Sequence, residues 1–480
     1  MPTSNIDLDQ RFMSLALTLG RRGLGNTWPN PSVGAVVVRH DGAEPVIVGR
    51  GWTQPGGRPH AETEALRRAG PAARGATLYV TLEPCSHHGK TPPCTDAIIA
   101  AGIARVVSAI EDPNARVAGR GHSLLRASGI TVDVGVGAAE ARRAHAGHIR
   151  SVCDHRPHIS LKLAVSADEK AGLAGRRPAP ITGEAARSRV HLMRAMNDAI
   201  LIGIGTSLAD DPQLTCRLPG MASRSPVRVV LDTGLRLPAT GALASSARET
   251  PVWVMAGESA PEAAEAALVP RGVEVFRLQA TEGMSDMARP PFFSPPPIEV
   301  GSTRLRSLNS LTETRVDAVS AGEGSGVGVA RGGTTLPQPP DPPPSPSRNR
   351  VYAGFGQSIK RSKSATADFD RGEREEAAAP YATSPPATGG KLDILAVVHL
   401  LAERGITRLM VEGGPTVAAA FLAADLVDEA VLLRGPNPIG PDGIDALEAM
   451  PLTALTDSPR LRSRSIETVG EDTIETFERS

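Results

Sequence analysis

This sequence of 480 residues contains few aromatic residues and has no excess of either charge. Aromatics make up only 3% of the chain, which argues against an extended platform for stacking nucleic-acid bases. Lys plus Arg and Asp plus Glu each number 52, so the formal net charge is zero. Such a chain offers no excess positive charge to a phosphate backbone. We therefore expect no nucleic-acid partner.

Cysteines and long apolar runs are few as well. The four cysteines are too sparse for a disulfide framework, and this favours a reducing compartment. The chain contains no run of roughly 18 apolar residues, the length that a membrane span needs. Near the N-terminus, Asp7 and Asp9 precede the apolar positions, unlike the basic start of a secretory signal. We expect a cytoplasmic protein without membrane contact.

The length of the chain is enough for two or three domains. Strands alternate with helices over residues 1–150, which predicts a layered α/β domain. A second alternating unit occupies residues 151–480, but its pattern fails between 281 and 390, where proline and glycine dominate. Such a segment cannot bury enough apolar surface to offset its chain entropy. We interpret residues 281–390 as a low-complexity, disordered insertion within the second domain.

A histidine and two cysteines form the most informative pattern. His60 begins a predicted helix, Cys85 follows a predicted buried strand, and Cys94 lies just before the next helix. One imidazole and two thiolates suit a tetrahedral Zn²⁺ whose fourth position stays open for water. Glu62 is the carboxylate that such a site needs to move protons between water and a leaving amine. The pattern indicates hydrolytic deamination.

A structural zinc site is the alternative. It would need a fourth protein ligand, and His87 or His88 could supply one. The positive ends of two predicted helices point toward one spot and favour the thiolate forms in either case. The residues alone leave both interpretations open.

Longer segments around these residues resemble a known family. The motif H-A-E at 60–62, followed by T-L-E-P-C-S-H-H-G-K-T-P-P-C at 81–94, closely resembles the deaminase domain of the bifunctional riboflavin-biosynthesis deaminase/reductases. Eight residues separate the cysteines, whereas the general zinc-deaminase pattern has two. The segment W-P-N-P-S-V-G at 28–34 resembles that family's P-N-P-x-V-G, whose asparagine helps to hold the substrate. The resemblance implies a cytidine-deaminase-like three-layer fold and a substrate contact at Asn30.

The second domain carries a weaker signal, a Gly-Gly turn at 413–414 between a predicted strand and helix. Such a turn can bind phosphate through its backbone N–H groups, or it can be an ordinary tight connection. The segments E-G-G-P-T at 412–416 and G-T-S-L-A-D-D-P at 205–212 are similar to the reductase half of the same family. That half has a dihydrofolate-reductase-like α/β fold and binds NADPH. The resemblance implies nucleotide contacts at Ala164, Thr206, Asp210, Thr233, Gly414, Pro415 and Thr416. It implies substrate contacts at Arg194, Leu214, Arg217 and Glu412, of which the arginines suit a phosphate monoester.

Two short segments depart from the family pattern. Glu169 stands where the family has glycine in S-x-D-G, and R-R-P-A-P-I-T at 176–182 replaces G-E-S-x-W-I-T. Pro178 and Pro180 cannot donate the backbone hydrogen bonds of the residues they replace. These changes affect one expected substrate contact and one expected cofactor contact.

The resemblance implies two consecutive steps toward riboflavin. A zinc-dependent domain deaminates 2,5-diamino-6-(5-phosphoribosylamino)pyrimidin-4(3H)-one, and an NADPH-dependent domain then reduces the ribosyl group to ribityl. The expected partner is this small molecule, with self-association left open. Three alternatives remain: a nucleic-acid base deaminase, a deaminase with an impaired reductase half, and a zinc-stabilised scaffold that recruits partners through its insertion.

Overall fold

The computed structural model describes residues 5–42, 44–115, 117–281, 391–448 and 450–480. The predicted insertion at 281–390 lies outside the described residues except for its first position. In the described ranges, no helix combines the length and the apolar character needed to cross a membrane.

The first domain is a five-stranded mixed sheet flanked by helices. Its strand order is β2-β1-β3-β4-β5, in which β1 pairs antiparallel with β2 and β3, and β3, β4 and β5 are parallel. The strands are β1 (Gly34–Arg39), β2 (Val46–Trp52), β3 (Thr77–Val80), β4 (Arg105–Ser108) and β5 (Thr131–Val134). The helices are α1 (Asn5–Gly20), α2 (Ala61–Ala69), α3 (Cys94–Ala100), α4 (Arg120–Ala127), α5 (Ala138–Ala144) and α6 (Ala146–Cys153).

Apolar side chains on both faces of this sheet explain its layers. Val36, Val37 and Val38 of β1 are fully buried, and the neighbouring strands are equally apolar. Because both faces are covered by helices, the strands are continuous apolar runs rather than alternating ones. The sequence predicts one helix over 138–152, but the structure divides it at His145, whose Nε2 lies 3.0 Å from the hydroxyl of Thr81.

The second domain is built on a nine-stranded sheet. Its order is β11-β10-β9-β8-β14-β6-β15-β18-β17, parallel except for the antiparallel pairs that β18 makes with β15 and β17. The main strands are β6 (His158–Val165), β8 (Ala199–Gly203), β9 (Val227–Leu231), β10 (Val252–Gly257), β11 (Val273–Leu278), β14 (Arg408–Val411), β15 (Glu429–Arg434), β17 (Leu461–Val469) and β18 (Asp472–Arg479). Four short strands form two separate pairs: β7 (Lys170–Gly172) with β16 (Ile444–Asp445), and β12 (Ala280–Thr281) with β13 (Lys391–Leu392).

Helices pack on this sheet and connect its strands. They are α7 (Glu184–Ala195), α8 (Ile204–Asp210), α9 (Ala242–Ser245), α10 (Glu262–Leu268), α11 (Ile394–Glu403), α12 (Pro415–Ala423) and α13 (Thr453–Thr456). The strand β14 lies between β6 and β8, so the carboxyl ends of these three parallel strands meet at one edge. Ligands of open α/β sheets bind at such an edge. The predicted α/β class of both domains is confirmed.

Candidate active sites

The three predicted metal ligands lie together in the first domain. His60 caps the N-terminus of α2, Cys94 is the first residue of α3, and Cys85 follows β3. The Nδ1 atom of His60 lies 3.3 Å from the Sγ atom of Cys94 and 3.7 Å from that of Cys85. The ligand atoms of all three residues fall within 4.8 Å of one another. The fold therefore assembles one nitrogen and two sulfurs at the junction of two helix starts.

This donor set fits a zinc ion with one open position. Nitrogen and thiolate sulfur are the ligands that zinc prefers, and three of them leave a fourth corner for water. In the described part of the chain, the cluster includes no ligand atom from His87 or His88, and both side chains are exposed. A closed, structural site would need such an atom. The geometry favours the catalytic type of site.

The two thiols lie in electrostatically different surroundings. A hydrogen bond from the Cys94 thiol, together with the nearby His60, lowers the pKa of Cys85 to about 4. The backbone N–H of Cys94 also donates to the Cys85 sulfur at 3.3 Å. Cys94 is only 1% exposed, and the same thiol contact together with burial raises its pKa. The surroundings of Cys85 thus favour its thiolate form.

Glu62 projects from the first turn of α2 beside this cluster. Its side chain is buried, with 4% of the residue exposed. Burial and the neighbouring Cys85 sulfur raise the pKa of Glu62 to about 7, and His60 opposes the shift. A carboxyl group held in a water-poor position next to metal ligands is suited to carrying a proton.

Asn30 lies on the loop between α1 and β1 and contacts the segment that leads to His60. A Cβ atom added to Gly57 would lie 2.0 Å from the Asn30 Nδ2 atom, and Gly57 has a φ of +82°. Only glycine leaves room for the amide there. Asn30, the predicted substrate contact, therefore packs on Gly57, which lies three residues before His60 in the chain.

Two further residues beside the metal cluster escape the sequence analysis. The guanidinium of Arg58 donates to the hydroxyl of Thr91 at 2.6 Å, and the same Nη1 atom lies 3.4 Å from the Nε2 atom of His60. Glu83 is fully buried and accepts four backbone N–H bonds from residues 112–122, at 2.9 to 3.2 Å. The side chains of Glu83, Glu111 and His122 also approach one another. Because the Glu83 oxygens are satisfied by these donors, we interpret Glu83 as the anchor of that loop.

In the second domain, a cavity of about 510 Å³ opens where the parallel strands end. Nine of the predicted contacts line it: Ala164, Arg194, Thr206, Asp210, Leu214, Glu412, Gly414, Pro415 and Thr416. Thr233 and Arg217 are not among the lining residues. The Gly-Gly turn begins α12, and the N–H of Gly414 donates to the Thr206 hydroxyl at 3.2 Å. This hydrogen bond connects the turn that follows β14 to the helix that follows β8.

Three charged side chains meet in this cavity. The Arg194 guanidinium donates to both oxygens of Glu412, at 3.0 and 2.9 Å, and also to the Thr215 carbonyl at 3.2 Å. The ammonium of Lys162 lies 3.4 Å from Glu412. Burial alone would raise the pKa of Glu412, but the two cations outweigh burial and lower it. Lys162 belongs to a segment, L-K-L at 161–163, that resembles the reductase half of the family, but it is not among the predicted contacts.

Both domains match known proteins. The sequence model of the RibD C-terminal domain matches residues 157–291 and 358–474. That of the cytidine and deoxycytidylate deaminase zinc-binding region matches residues 6–110. The riboflavin biosynthesis protein RibD of Escherichia coli is 32% identical over 475 residues, covering 97% of each chain. The chain belongs to the RibD family.

Other members of the RibD family are similar over different shares of the chain. RibD of Aquifex aeolicus is 42% identical over 57% of this chain and 74% of its own. The solved structure of Acinetobacter baumannii RibD matches with a TM-score of 0.67 at 26% identity, covering 99% of this chain and all of that one. A diaminohydroxyphosphoribosylaminopyrimidine deaminase/5-amino-6-(5-phosphoribosylamino)uracil reductase from Thermotoga maritima matches with a TM-score of 0.66 at 27% identity, with coverage of 99% and 100%. This protein is a bifunctional deaminase and reductase of riboflavin biosynthesis.

Of the two departures from the RibD pattern, the 176–182 segment reaches the reductase cavity, whereas Glu169 is not among the lining residues. Glu169 has a φ of +64°, in the left-handed region that favours glycine. Its neighbour Asp168 accepts N–H bonds from Ile439 and Gly440 at 2.9 and 2.7 Å. Arg176, Arg177 and Pro178 of the altered 176–182 segment line the cavity. This segment therefore replaces family residues with two guanidinium groups at the cavity wall.

Proposed function

We propose that the N-terminal half releases ammonia from 2,5-diamino-6-(5-phosphoribosylamino)pyrimidin-4(3H)-one. His60, Cys85 and Cys94 would hold the zinc ion, because their three ligand atoms converge within 4.8 Å beside the buried Glu62. This convergence is the observation that carries the proposal. A zinc ion at this position supplies Lewis acidity, which lowers the pKa of a water molecule toward neutrality.

Glu62 is the proton carrier of this proposal. It accepts a proton as water oxygen forms its bond to the amine-bearing ring carbon, and it returns that proton to the departing nitrogen as the carbon–nitrogen bond breaks. Ammonia and the corresponding uracil are then the products. Asn30 orients the pyrimidine ring through its amide, held in place by its contact with Gly57. The N-terminal ends of α2 and α3 carry His60 and Cys94 beside the proposed reaction centre.

We propose NADPH as the reductant of the second half. The proposed nucleotide contacts are Ala164, Thr206, Asp210, Thr233, Gly414, Pro415 and Thr416. The N-terminus of α12 follows the Gly-Gly turn, and the positive end of its helix dipole suits a phosphate group. NADPH supplies a hydride for the sugar C1′ atom, and the sugar ring oxygen leaves C1′ and takes a proton to give the ribityl chain.

The proposed substrate contacts of the reductase are Arg194, Leu214, Arg217 and Glu412, to which we add Lys162. Glu412 holds Arg194 through a bidentate ion pair. The Nε and Nη2 atoms of Arg194 are therefore already engaged and cannot both bind a phosphate group. Lys162 makes a longer contact with the same carboxylate and is the cation better placed to meet a phosphate. Thr233 and Arg217, outside the cavity lining, are the proposed contacts that a ligand-bound structure tests first.

A single assay tests both halves. The purified protein is incubated with the diaminopyrimidine phosphoriboside, with and without NADPH, while ammonia release and cofactor absorbance are followed together. We expect ammonia in both samples and oxidation of NADPH only after deamination has begun. Ammonia release without NADPH oxidation would indicate a deaminase with an impaired reductase half, as the altered 176–182 segment motivates. Absence of ammonia from this substrate would contradict the proposal.

The thiol ligands favour a reducing compartment. Cys85 and Cys94 ligate a metal only as unoxidised thiolates, so we propose that the enzyme acts in the cytoplasm. Its partner is a small-molecule substrate.

A further inference from the structure

The loop that carries Asn30 is held by the reductase domain. Arg224 of that domain donates from Nη1 to the carbonyl of Arg22 at 2.9 Å and from Nη2 to the carbonyl of Leu24. The same Nη2 atom lies 3.3 Å from the carbonyl of Ala195, within the reductase domain. One half-buried guanidinium therefore joins the start of the deaminase loop to the end of α7.

The backbone of the loop also abuts the reductase domain. A Cβ atom added to Gly25 would lie 2.5 Å from the carbonyl oxygen of Ala195 and 3.0 Å from that of Asn197. Gly25 has a φ of +74°, so glycine is required both for the conformation and for the space. The two chain segments leave no room for a side chain at position 25.

The far end of the loop packs on the reductase domain a second time. A Cβ atom added to Gly405 would lie 3.0 Å from the Pro29 Cβ and 3.6 Å from the Trp28 ring. Trp28 packs against the apolar core that the central strands of the reductase domain form. Asn30, the next residue after this pair, shares the lining of a small cavity with Asp198 and Arg408 of the reductase domain.

The loop is tied to the metal site from its other side. The N–H of Gly56 donates to the carbonyl of Asn26 at 2.9 Å, and Asn30 packs on Gly57, three residues before His60. Asn30 is thus placed between two fixed surfaces, one of which belongs to the other catalytic domain. The position of the Asn30 side chain therefore depends on both of these surfaces.

We infer that the reductase domain completes the deaminase site by positioning Asn30, and that Arg224 is a positioning residue for deamination. This inference rests on the proposed role of Asn30 in holding the pyrimidine. A loop without this anchor samples more conformations, and substrate binding then has to select the competent one. Substrate binding weakens, whereas the metal ligands and Glu62 stay in place.

The test uses the full-length enzyme with the substitution Arg224→Ala. We expect the deaminase KM to rise about tenfold and kcat to change less. A tenfold factor corresponds to the loss of roughly one to two hydrogen bonds to carbonyl groups. Zinc content and reduction of pre-deaminated substrate should match wild type, because Arg224 does not line the reductase cavity. Arg224→Lys keeps a cationic donor and should restore part of the KM. The matched control is Arg189→Ala, which removes an exposed arginine of the same domain that pairs with Glu467.

The outcomes separate the possible failures. Ammonia release by wild type with an unchanged KM in Arg224→Ala overturns the inference and leaves the proposed function intact. Absence of ammonia release by wild type contradicts the proposed function itself. A purely structural effect would lower the active fraction and both activities together without moving the KM. If Arg224→Ala fails to fold, Trp28→Ala tests the same anchor from the deaminase side, and an unchanged KM there overturns the inference equally.

Discussion

The Nδ1 atom of His60 lies 3.3 Å from the Sγ atom of Cys94, although 34 positions separate the two residues. The contact exists because α2 and α3 both begin at the same place, after β2 and β3 of one sheet. Cys85 completes the group from the strand side. The sequence motif thus becomes a cluster of three residues that could hold a metal, through the convergence of two helix N-termini whose positive ends favour thiolate.

Glu62→Gln should abolish ammonia release while leaving the metal bound. The amide has the shape of the carboxylate but cannot accept and return a proton, and such groups contribute about 10²- to 10⁴-fold to rate. The measurement is kcat for deamination together with zinc content per chain. Glu64→Gln is the matched control on the same helix, because Glu64 pairs with Arg67 and Arg68. Deamination retained in Glu62→Gln would remove this residue from the mechanism.

Arg194→Lys should impair reduction and spare deamination. Lysine keeps the charge but cannot form the two parallel bonds that hold Glu412. We expect kcat/KM for reduction to fall about 10- to 100-fold, the range for losing a hydrogen bond between charged groups. Arg189→Lys, on the exposed face of α7, is the control. Equal activity of the two variants would show that the Arg194–Glu412 pair does not shape the cavity.

Asp428→Asn should destabilise the second domain in a pH-dependent way. Asp428 is buried and accepts bonds from Arg156 at 2.6 and 2.8 Å and from the N–H of Ile159 at 3.0 Å. Burial alone would raise the pKa of Asp428, but the Arg156 hydrogen bonds and nearby positive charges outweigh burial and lower it. Breaking such a buried pair costs about 3–5 kcal/mol of unfolding free energy at neutral pH.

The sign of the pH effect follows from the lowered pKa. Stabilisation by ionised Asp428 is complete above the ordinary aspartate pKa of about 3.9 and is lost as pH falls through the lower folded value. The difference in unfolding free energy between wild type and Asp428→Asn should therefore shrink in acid. Denaturant unfolding between neutral pH and strong acid measures it, with the exposed Asp457→Asn as control. A difference that grows as pH falls would contradict the assignment.

Residues 282–390 should be replaceable by a two-residue turn. Thr281 pairs antiparallel with Lys391, so the two ends of the segment are already neighbours in a ladder. An Asn-Gly turn closes such a pair with the twist that strands require. The sequence model of the RibD C-terminal domain also leaves residues 292–357 unmatched. We expect both activities to survive the replacement; loss of reduction alone would assign the segment a part in the reductase.

The residues of the His60, Cys85 and Cys94 cluster, and most of the predicted residues that line the reductase cavity, occur in recognisable local motifs, so the sequence indicates that they belong together. The spacing of H-A-E and P-C points to a shared site, and the Gly-Gly turn marks the end of β14 at the cavity. The hairpin of β17 and β18 is not predicted, because most residues of β17 are exposed and lack apolar alternation. A sequence pattern identifies a helix or strand only where burial of one face makes apolar residues recur at regular intervals.

Positioning residues escape prediction for a different reason. Glu83 and Arg224 act through partners that are distant in sequence, namely the 112–122 loop and the carbonyls of the Asn30 loop. A single arginine or glutamate has no local signature of such a role. Only the packed structure shows which backbone groups it holds.

The metal content of active enzyme tests the central claim most directly. Protein purified without chelator should contain one zinc ion per chain, and removing it should abolish ammonia release from the diaminopyrimidine phosphoriboside. Reduction of pre-deaminated substrate by NADPH should continue in the same sample, and added zinc should restore deamination. Undiminished ammonia release from protein that elemental analysis shows to be free of transition metal would contradict the account.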